Sequence, residues 1–420
     1  MQLNRRTFMN RSAQAAAGVS LSSLPIWGAN EKLQLGFVGI GIRGLQLLKP
    51  TVKDLADRAR VVAVCDTYKG YLNRAVETVG TGPAAYDDIH RLLDDKNVEA
   101  VIIATPEHRH VEHVIAALQA GKDVYCEKPL THTLEEGEQM LKAQQRYGPR
   151  IIQVGTQRRS SPLYAKAREM VQSGMLGKVT FVRAFWYRNS LKPQWRYPIP
   201  GDASPQTADW QAFLGPAPKR AWDPSRYFQW RLYWDYSSGI ATDLMTHQID
   251  AVHMVLGEKA PESVLSTGGI YLWKDGREVP DTFHAALTYK SGLSVDYSCM
   301  FGNQHYGYGE QFLGTEGTLE VMNLRTLSFY PEKLTEGGKD VTPDRVKARA
   351  EVTIEGKQLD PTDVTLLHLR DFVDSAKARK QPNCPLELGD QAAAPCHLAT
   401  LSLHKKRQVF WDPATRNVRV

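Results

Sequence analysis

The sequence predicts an α/β protein of two domains, the first built on a parallel sheet. Three observations carry this. The chain has 420 residues, too many for one ordinary core. Through its first third, short β-type runs such as Leu33–Val38, Arg60–Cys65 and Ala100–Ala104 alternate with helical stretches. Beyond that, runs of alternating polarity at Val179–Tyr187, Thr282–Tyr289, Leu293–Met300 and Leu319–Val321 read as antiparallel strands, and Asp363–Lys380 and Gly389–Arg407 read as helices.

Composition excludes several classes. Apolar residues (42%) and charged residues (23%) stand near globular averages. No uninterrupted apolar stretch reaches the roughly 18 residues of a membrane span. The formal charge of +6 halves once Arg5, Arg6 and Arg11 are assigned to a leader, and the rest is too evenly spread to argue for nucleic acid. Cys65, Cys126, Cys299, Cys384 and Cys396 are odd in number and form no CxxC, which argues against a disulfide framework. Cys65 and Cys126 sit in apolar runs and read as buried thiols.

Residues 1–29 read as a targeting segment. Asn4-Arg5-Arg6-Thr7-Phe8-Met9 has the form of a twin-arginine motif, and a weakly apolar stretch from Ala13 to Ile26 leads to a fair cleavage site at Trp27-Gly28-Ala29. The reading is export by the twin-arginine machinery to the periplasm, a route taken by folded proteins that already hold a cofactor.

Residues 31–150 read as a dinucleotide-binding domain. The run Leu33–Val38 leads into Gly39-Ile40-Gly41-Ile42-Arg43-Gly44, after which Leu45, Leu47 and Leu48 open a helix. A GxGxxG between strand and helix is the phosphate-binding fingerprint. Gly39 permits the tight turn, Gly41 admits the pyrophosphate, Gly44 allows close helix–strand packing, and the helix N-terminus offers free N–H groups. The second strand ends in Asp66, placed to accept from both ribose hydroxyls and to repel a 2′-phosphate, so NAD is expected rather than NADP. Lys69 nearby is the feature that would suit NADP. Two further strand ends reach the same crevice: Thr105-Pro106-Glu107-His108-Arg109-His110, and Glu127-Lys128-Pro129. His108, His110 and His113 lack the cysteines or carboxylates of a metal site, so no metal is expected, and they read as cofactor-side or capping histidines.

With these residues in view, and with Gly239–His247 and Gly314–Glu320, the sequence resembles the glucose-fructose oxidoreductase / inositol dehydrogenase (Gfo/Idh/MocA) family. The resemblance implies a Rossmann domain followed, over 151–420, by an α/β domain with a large, mostly antiparallel sheet, and a homo-oligomer formed through that sheet. It places Lys128, Asp243 and His247 around the substrate carbon, and Ile40, Arg43, Thr105, Pro106, His110 and Glu127 at the cofactor. The chemistry of the side chains agrees. Asp243 and His247 are four apart in a helical stretch and share a face. His247 is suited to take the hydroxyl proton, Asp243 to orient its ring, and Lys128 to hydrogen-bond the developing alkoxide.

Between Trp186 and Trp234 lie six of the nine tryptophans. Most read as core or subunit-contact residues, but Trp234 and Tyr236, just upstream of Gly239, and Arg158 are expected at the substrate. A small-molecule carbohydrate is the expected partner. Two activities follow: an NAD-dependent oxidoreductase acting on a sugar or polyol alcohol, and, as the alternative, a redox-neutral NAD-dependent glycosidase working by oxidation, elimination, addition and reduction.

Overall fold

The first sheet is nucleated by strands buried on both faces, which is why they are nearly continuous runs of apolar residues. In the computed structural model, which describes residues 31–420, the sheet comprises β1 (Leu33–Val38), β2 (Ala59–Cys65), the half-exposed edge strand β3 (Ala84–Tyr86), β4 (Ala100–Ile103), β5 (Asp123–Cys126) and β6 (Ile152–Val154). The expected leader, and the export reading that rests on it, lie outside the described residues. The strands run parallel in the order β3-β2-β1-β4-β5-β6. Helices Ile42–Asp54, Lys69–Val79, Ile89–Asp94, His110–Gln119 and Leu134–Tyr147 make the crossovers. The order reverses between β1 and β4, and a crevice therefore opens at their carboxyl ends.

The parallel sheet runs past the boundary expected at 150, because Val124, Tyr125 and Cys126 of β5 pair with Ile152, Gln153 and Val154. The second domain is not continuous to the C-terminus either. Helix Val364–Ala378 returns to pack on the first domain's helix Ile42–Asp54, where Arg58 Nη1 donates to Asp374 at 2.8 Å and Arg379 pairs with Asp123. Helix Leu386–Lys405 then lies between the domains, against both helix Leu134–Tyr147 and the second sheet.

That second sheet has ten strands: β7 (Val179–Asn189), β8 (Ser263–Gly269), β9 (Thr282–Thr288), β10 (Ser294–Met300), β11 (Gly302–Gly314), β12 (Gly317–Met322), β13 (Thr326–Pro331), β16 (Val352–Glu355), β17 (Val409–Asp412) and β18 (Asn417–Arg419). Their order is β16-β13-β12-β11-β7-β10-β9-β8-β17-β18, antiparallel throughout except for β7 beside β10. Residues alternate strictly in β9, so one face packs on helices Pro162–Gln172, Thr246–Leu256 and Leu386–Lys405 while the other stays open. The polar segment 331–362 holds a small hairpin of β14 (Thr335–Glu336) and β15 (Lys339–Asp340) and the edge strand β16. Gly337 and Gly338, at φ 55° and 78°, supply the left-handed turn that a two-residue hairpin requires.

Under β7 lies a buried ion pair. Arg158 and Glu310, 2% and 0% exposed, are bonded to one another, and Tyr164 donates to the other carboxylate oxygen at 2.6 Å. Removing one member strands the other charge in the interior. Glu310→Ala is expected to lower unfolding free energy by about 3–5 kcal/mol in a denaturant titration. A loss below about 1 kcal/mol would mean that water reaches Arg158.

Candidate active site

The three strand ends of the crevice build the site. After β1 the chain turns through Gly39 at φ 82°, and a Cβ on Gly44 would sit 1.9 Å from the Gly39 carbonyl oxygen, so the helix and turn touch only because both residues are glycine. Gly41 differs. It has an ordinary φ of −64°, and a Cβ there would meet nothing closer than Tyr71 at 3.9 Å. Protein packing does not require its glycine; a ligand approaching the helix N-terminus would. Arg43 leaves its Nη2 buried and unpartnered beside this space. Asp66, at the end of β2, accepts from the Ile40 amide at 2.6 Å and from the Tyr68 amide at 2.8 Å. Asp66 lines a cavity of about 270 Å³ with Gly39, Gly41, Thr105 and Pro106. These features fit a bound dinucleotide: an open phosphate cradle at Gly41, a free arginine N–H, and a carboxylate at the ribose position.

A second cavity of about 260 Å³ adjoins the first, and Gly41, Ala104, Thr105 and Trp230 belong to both. It holds the chemistry. Lys128, delivered by β5, donates from Nζ to the Asp243 carbonyl at 2.6 Å and to Asp243 Oδ1 at 3.0 Å. Arg231 Nε reaches the same Oδ1 at 3.1 Å. Burial opposes the charge on Asp243, but Lys128 and Arg231 outweigh it and hold the carboxyl well below its usual range. His247 lines the same cavity, its Nδ1 buried without a partner and its ring 5.6 Å from that of Trp186. Burial, then the positive charges of Lys128 and Arg158, keep His247 neutral far below the usual histidine pKa. A larger hollow of about 750 Å³ on the open face of the second sheet contains none of the expected site residues.

The backbone around Asp243 explains how the pair is presented. The chain enters through Gly239 at φ 59°, where any Cβ would strike Val279 at 2.7 Å. Ala241–Met245 then form a π-helical turn before the α-helix Thr246–Leu256 begins. Single π-turns recur at functional sites because the extra residue re-aims the following side chains. Ser237 ties this entry to the first domain, accepting from the Gly239 amide at 3.0 Å and donating to Glu107 Oε1 at 2.7 Å. Glu107 is buried in the cleft wall, and burial raises its carboxyl to about 7.

Most of the expected residues meet here. Gly39, Gly41, Asp66, Thr105 and Pro106 line the first cavity, and Arg43, His110, Glu127, Lys128, Asp243 and His247 the second. Ile40 and Gly44 act behind the wall: the Ile40 amide is taken by Asp66 and its carbonyl by Arg74. His110 clamps two loops together, its ring nitrogens 2.7 Å from the Pro129 carbonyl and 2.9 Å from that of Thr105. Glu127 accepts from Arg43 Nε at 2.8 Å and so joins the glycine-rich turn to β5. Asp243 makes no hydrogen bond to the His247 ring; the side chain it orients is Lys128.

Three residues expected at the substrate lie elsewhere. Tyr236 is fully buried against His108 and Phe213, because the chain turns inward before Gly239. Trp234 packs edge-on against His404 at 4.6 Å, outside the cleft. Arg158 sits beneath it, committed to Glu310. In their place stand Trp186, Arg188, Trp195, Tyr197, Trp230 and Arg231. Trp186 carried a usable signal, lying in a predicted strand; Arg188, on the same face two residues on, lies just past that strand's expected end at Tyr187, and the strand in fact runs to Asn189. Arg231 lies in a short irregular turn and left no signal.

Comparison with known proteins gives this arrangement a lineage. The family profile "Oxidoreductase family, NAD-binding Rossmann fold" matches residues 33–156, and two profiles of the family's C-terminal alpha/beta domain match 163–267 and 217–410. The "Inositol 2-dehydrogenase 2" of Saccharopolyspora erythraea is 32% identical over 317 residues, 74% of this chain and 79% of that protein. The inositol 2-dehydrogenase of Salmonella typhimurium is 34% identical over 166 residues, 40% of this chain and 49% of its own, so the match spans about half the length of that relative. A "Glycosyl hydrolase family 109 protein" of Stenotrophomonas maltophilia is 35% identical over 201 residues, 45% of this chain and 43% of that protein. Among solved structures, levoglucosan dehydrogenase in complex with NADH and levoglucosan shares the fold, with TM-score 0.67 and 20% identity over 90% of this chain and 99% of that one. Among the described residues no helix is long and apolar enough to cross a membrane, and no group of three or more His, Cys, Asp or Glu is arranged to hold a metal. A relative matched along most of the chain, with both family domains in their order, means that this protein belongs to the Gfo/Idh/MocA oxidoreductases and carries their NAD-binding Rossmann domain.

Proposed function

We propose that this protein oxidises a secondary alcohol of a sugar or polyol, using NAD that it keeps bound. The observation that carries the reading is Lys128 pinned to Asp243 at 3.0 Å in the cleft that adjoins the Gly41 cradle. When bound, NAD supplies the hydride acceptor. The residues of the chain do the rest. Gly41, Arg43 and the helix N-terminus hold the pyrophosphate, and Asp66 holds the ribose. Lys128 donates an N–H to the substrate oxygen and stabilises the negative charge that grows there. His247, neutral at rest, accepts the hydroxyl proton. Trp186 and Trp230 line the cleft beside these groups.

Retention of the cofactor follows from the leader. The Arg5-Arg6 motif supports export to the periplasm, where free NAD is not supplied, so hydride must return to a second substrate or to the product of the first. Redox-neutral cleavage of a glycoside satisfies the same constraint. The relative of glycosyl hydrolase family 109 favours it as a second reading, as does Glu107, a carboxyl that keeps its proton near neutral pH beside the cleft.

Extensively dialysed enzyme with no added cofactor is expected to turn over a pair of sugars, one oxidised and one reduced. Release of a glycoside's leaving group without net redox would select the second reading; a requirement for stoichiometric NAD would contradict retention. Lys128→Ala and His247→Ala are each expected to slow turnover by roughly 10²–10⁴-fold with NAD binding intact. Because His247 stays neutral well below about 6.5, kcat/KM should remain level as pH falls through that value. An acid limb at about 6.5 would assign the proton to another group.

Asp66 gives a second pH dependence with its own sign. Burial pushes its carboxyl up to about 6 in the cofactor-free protein, so the ribose-accepting carboxylate is complete above that pH and lost below it. Calorimetry should show NAD binding weaken as pH falls through about 6, and NAD binding tighter than NADP at neutral pH. Asp66→Asn should abolish the pH dependence. Equal affinities for NAD and NADP would refute the assigned role.

A further inference from the structure

Four cations line the cleft, Arg43, Lys128, Arg188 and Arg231, and one of them has no carboxylate partner. The others are matched: Arg43 with Glu127 at 2.8 Å, and Lys128 and Arg231 with the shared Asp243 oxygen at 3.0 and 3.1 Å. Arg188 is not. Its Nη1 reaches only the neutral amide oxygen of Gln194, at 3.3 Å, and among the described residues no carboxylate stands within ion-pair distance of it. The acid whose charge it does feel, Asp243, is already shared by two cations. Glu107, the remaining acid in the wall, bonds Ser237 and is only partly ionised at neutral pH.

The position of Arg188 is not that of a solvated surface arginine. It follows Trp186 by two residues on β7, which puts both on one face of the strand, and both line the cleft. Its guanidinium lies over the Trp186 ring, 4.9 Å from the centroid, while Tyr308 stacks on Trp186 at 4.6 Å. Packing against the indole limits where the guanidinium can go, and apart from the bond to Gln194 its N–H groups are left to meet a partner. Trp186 also borders His247, so the edge of Arg188 and the proposed proton acceptor flank the same aromatic surface.

We propose that the substrate is an acidic sugar, a hexuronate whose carboxylate pairs with Arg188 in the cleft. A planar carboxylate meets the two N–H groups of a guanidinium edge in register. An oxidised nicotinamide, itself positive, would add to the excess charge and sharpen the preference for an anion. This rests on the sugar-oxidising reading above and names its substrate class.

The test is binding, measured apart from turnover. Enzyme loaded with NADH is titrated by calorimetry with D-glucuronate against D-glucose, and with D-galacturonate against D-galactose. D-glucose 6-phosphate is the control for any anion. At least one uronate is expected to bind about 10-fold or more tightly than its neutral partner, a gap typical of one charge-assisted hydrogen-bonded pair. Arg188→Gln should erase the gap and Arg188→Lys should keep part of it, both with NADH affinity unchanged. Equal binding of acid and neutral sugars, no binding of either uronate, tightest binding of the phosphate, or a gap that survives Arg188→Gln would each overturn the proposal. Mixing the preferred uronate with NAD-loaded enzyme then separates the two claims. Tight, Arg188-dependent binding with no reduction of the cofactor would contradict the redox reading and leave the acidic ligand standing.

Discussion

The ion pair between Lys128 and Asp243 is the constraint on which the rest of the site depends. Lys128 follows the fifth strand of the parallel sheet by two residues, and Asp243 sits in the π-turn that leads into the helix under the second sheet. Their contact joins the domains at the point where the two cavities meet. Removing both charges from water is costly, and a single pair in a part-buried setting does not reliably repay that cost. Here Arg231 adds a second cation, and the Asp243 carbonyl accepts from Lys128 as well. The carboxyl is thereby fixed as an anion, and the lysine is fixed in direction. Once it is, the next helical turn brings His247 to the same cavity.

Electrostatics then separates the roles of four ionisable groups along the two adjoining cavities. Asp243 is held ionised by its two cations, and His247 is held neutral by burial and by the positive charges of Lys128 and Arg158. Glu107 retains a proton to about pH 7 and Asp66 to about 6, both because burial disfavours their charge. Neighbouring groups pushed in opposite directions are the usual means by which a site obtains an acid and a base at one pH. Arg158 contributes from below the cleft, so its role is positioning and electrostatic, and its own charge is compensated by Glu310.

How much of this was legible in the sequence depends on whether local spacing or tertiary packing decides a residue's place. Gly39, Gly41, Gly44 and Asp66 could be placed because the glycine turn, the helix start and the next strand end are linked by short, rigid connections. Lys128 could be placed because a parallel strand must deliver its C-terminal residues to the crevice. The wall of the cleft was less legible. Trp234 and Tyr236 are near Gly239 in sequence, but the chain there is irregular and points them at His404 and at the core. Arg158 is charged and follows a strand, which suggested a place facing the substrate pocket, while the acid that allows its burial lies far along the chain in β11. The return of helix Val364–Ala378 to the first domain was equally hidden, since its amphipathic pattern does not say which surface it covers.

Because the account makes Lys128 and Asp243 a single working unit, a double-mutant cycle tests it most directly. Lys128→Met, Asp243→Asn and the double variant would be compared in kcat/KM on the best sugar substrate, with NAD affinity measured alongside as the control for folding. The account predicts strong non-additivity: the double variant loses little more than the worse single variant, and NAD affinity stays level in all three. Losses that simply multiply, with each residue acting independently of the other, would contradict it.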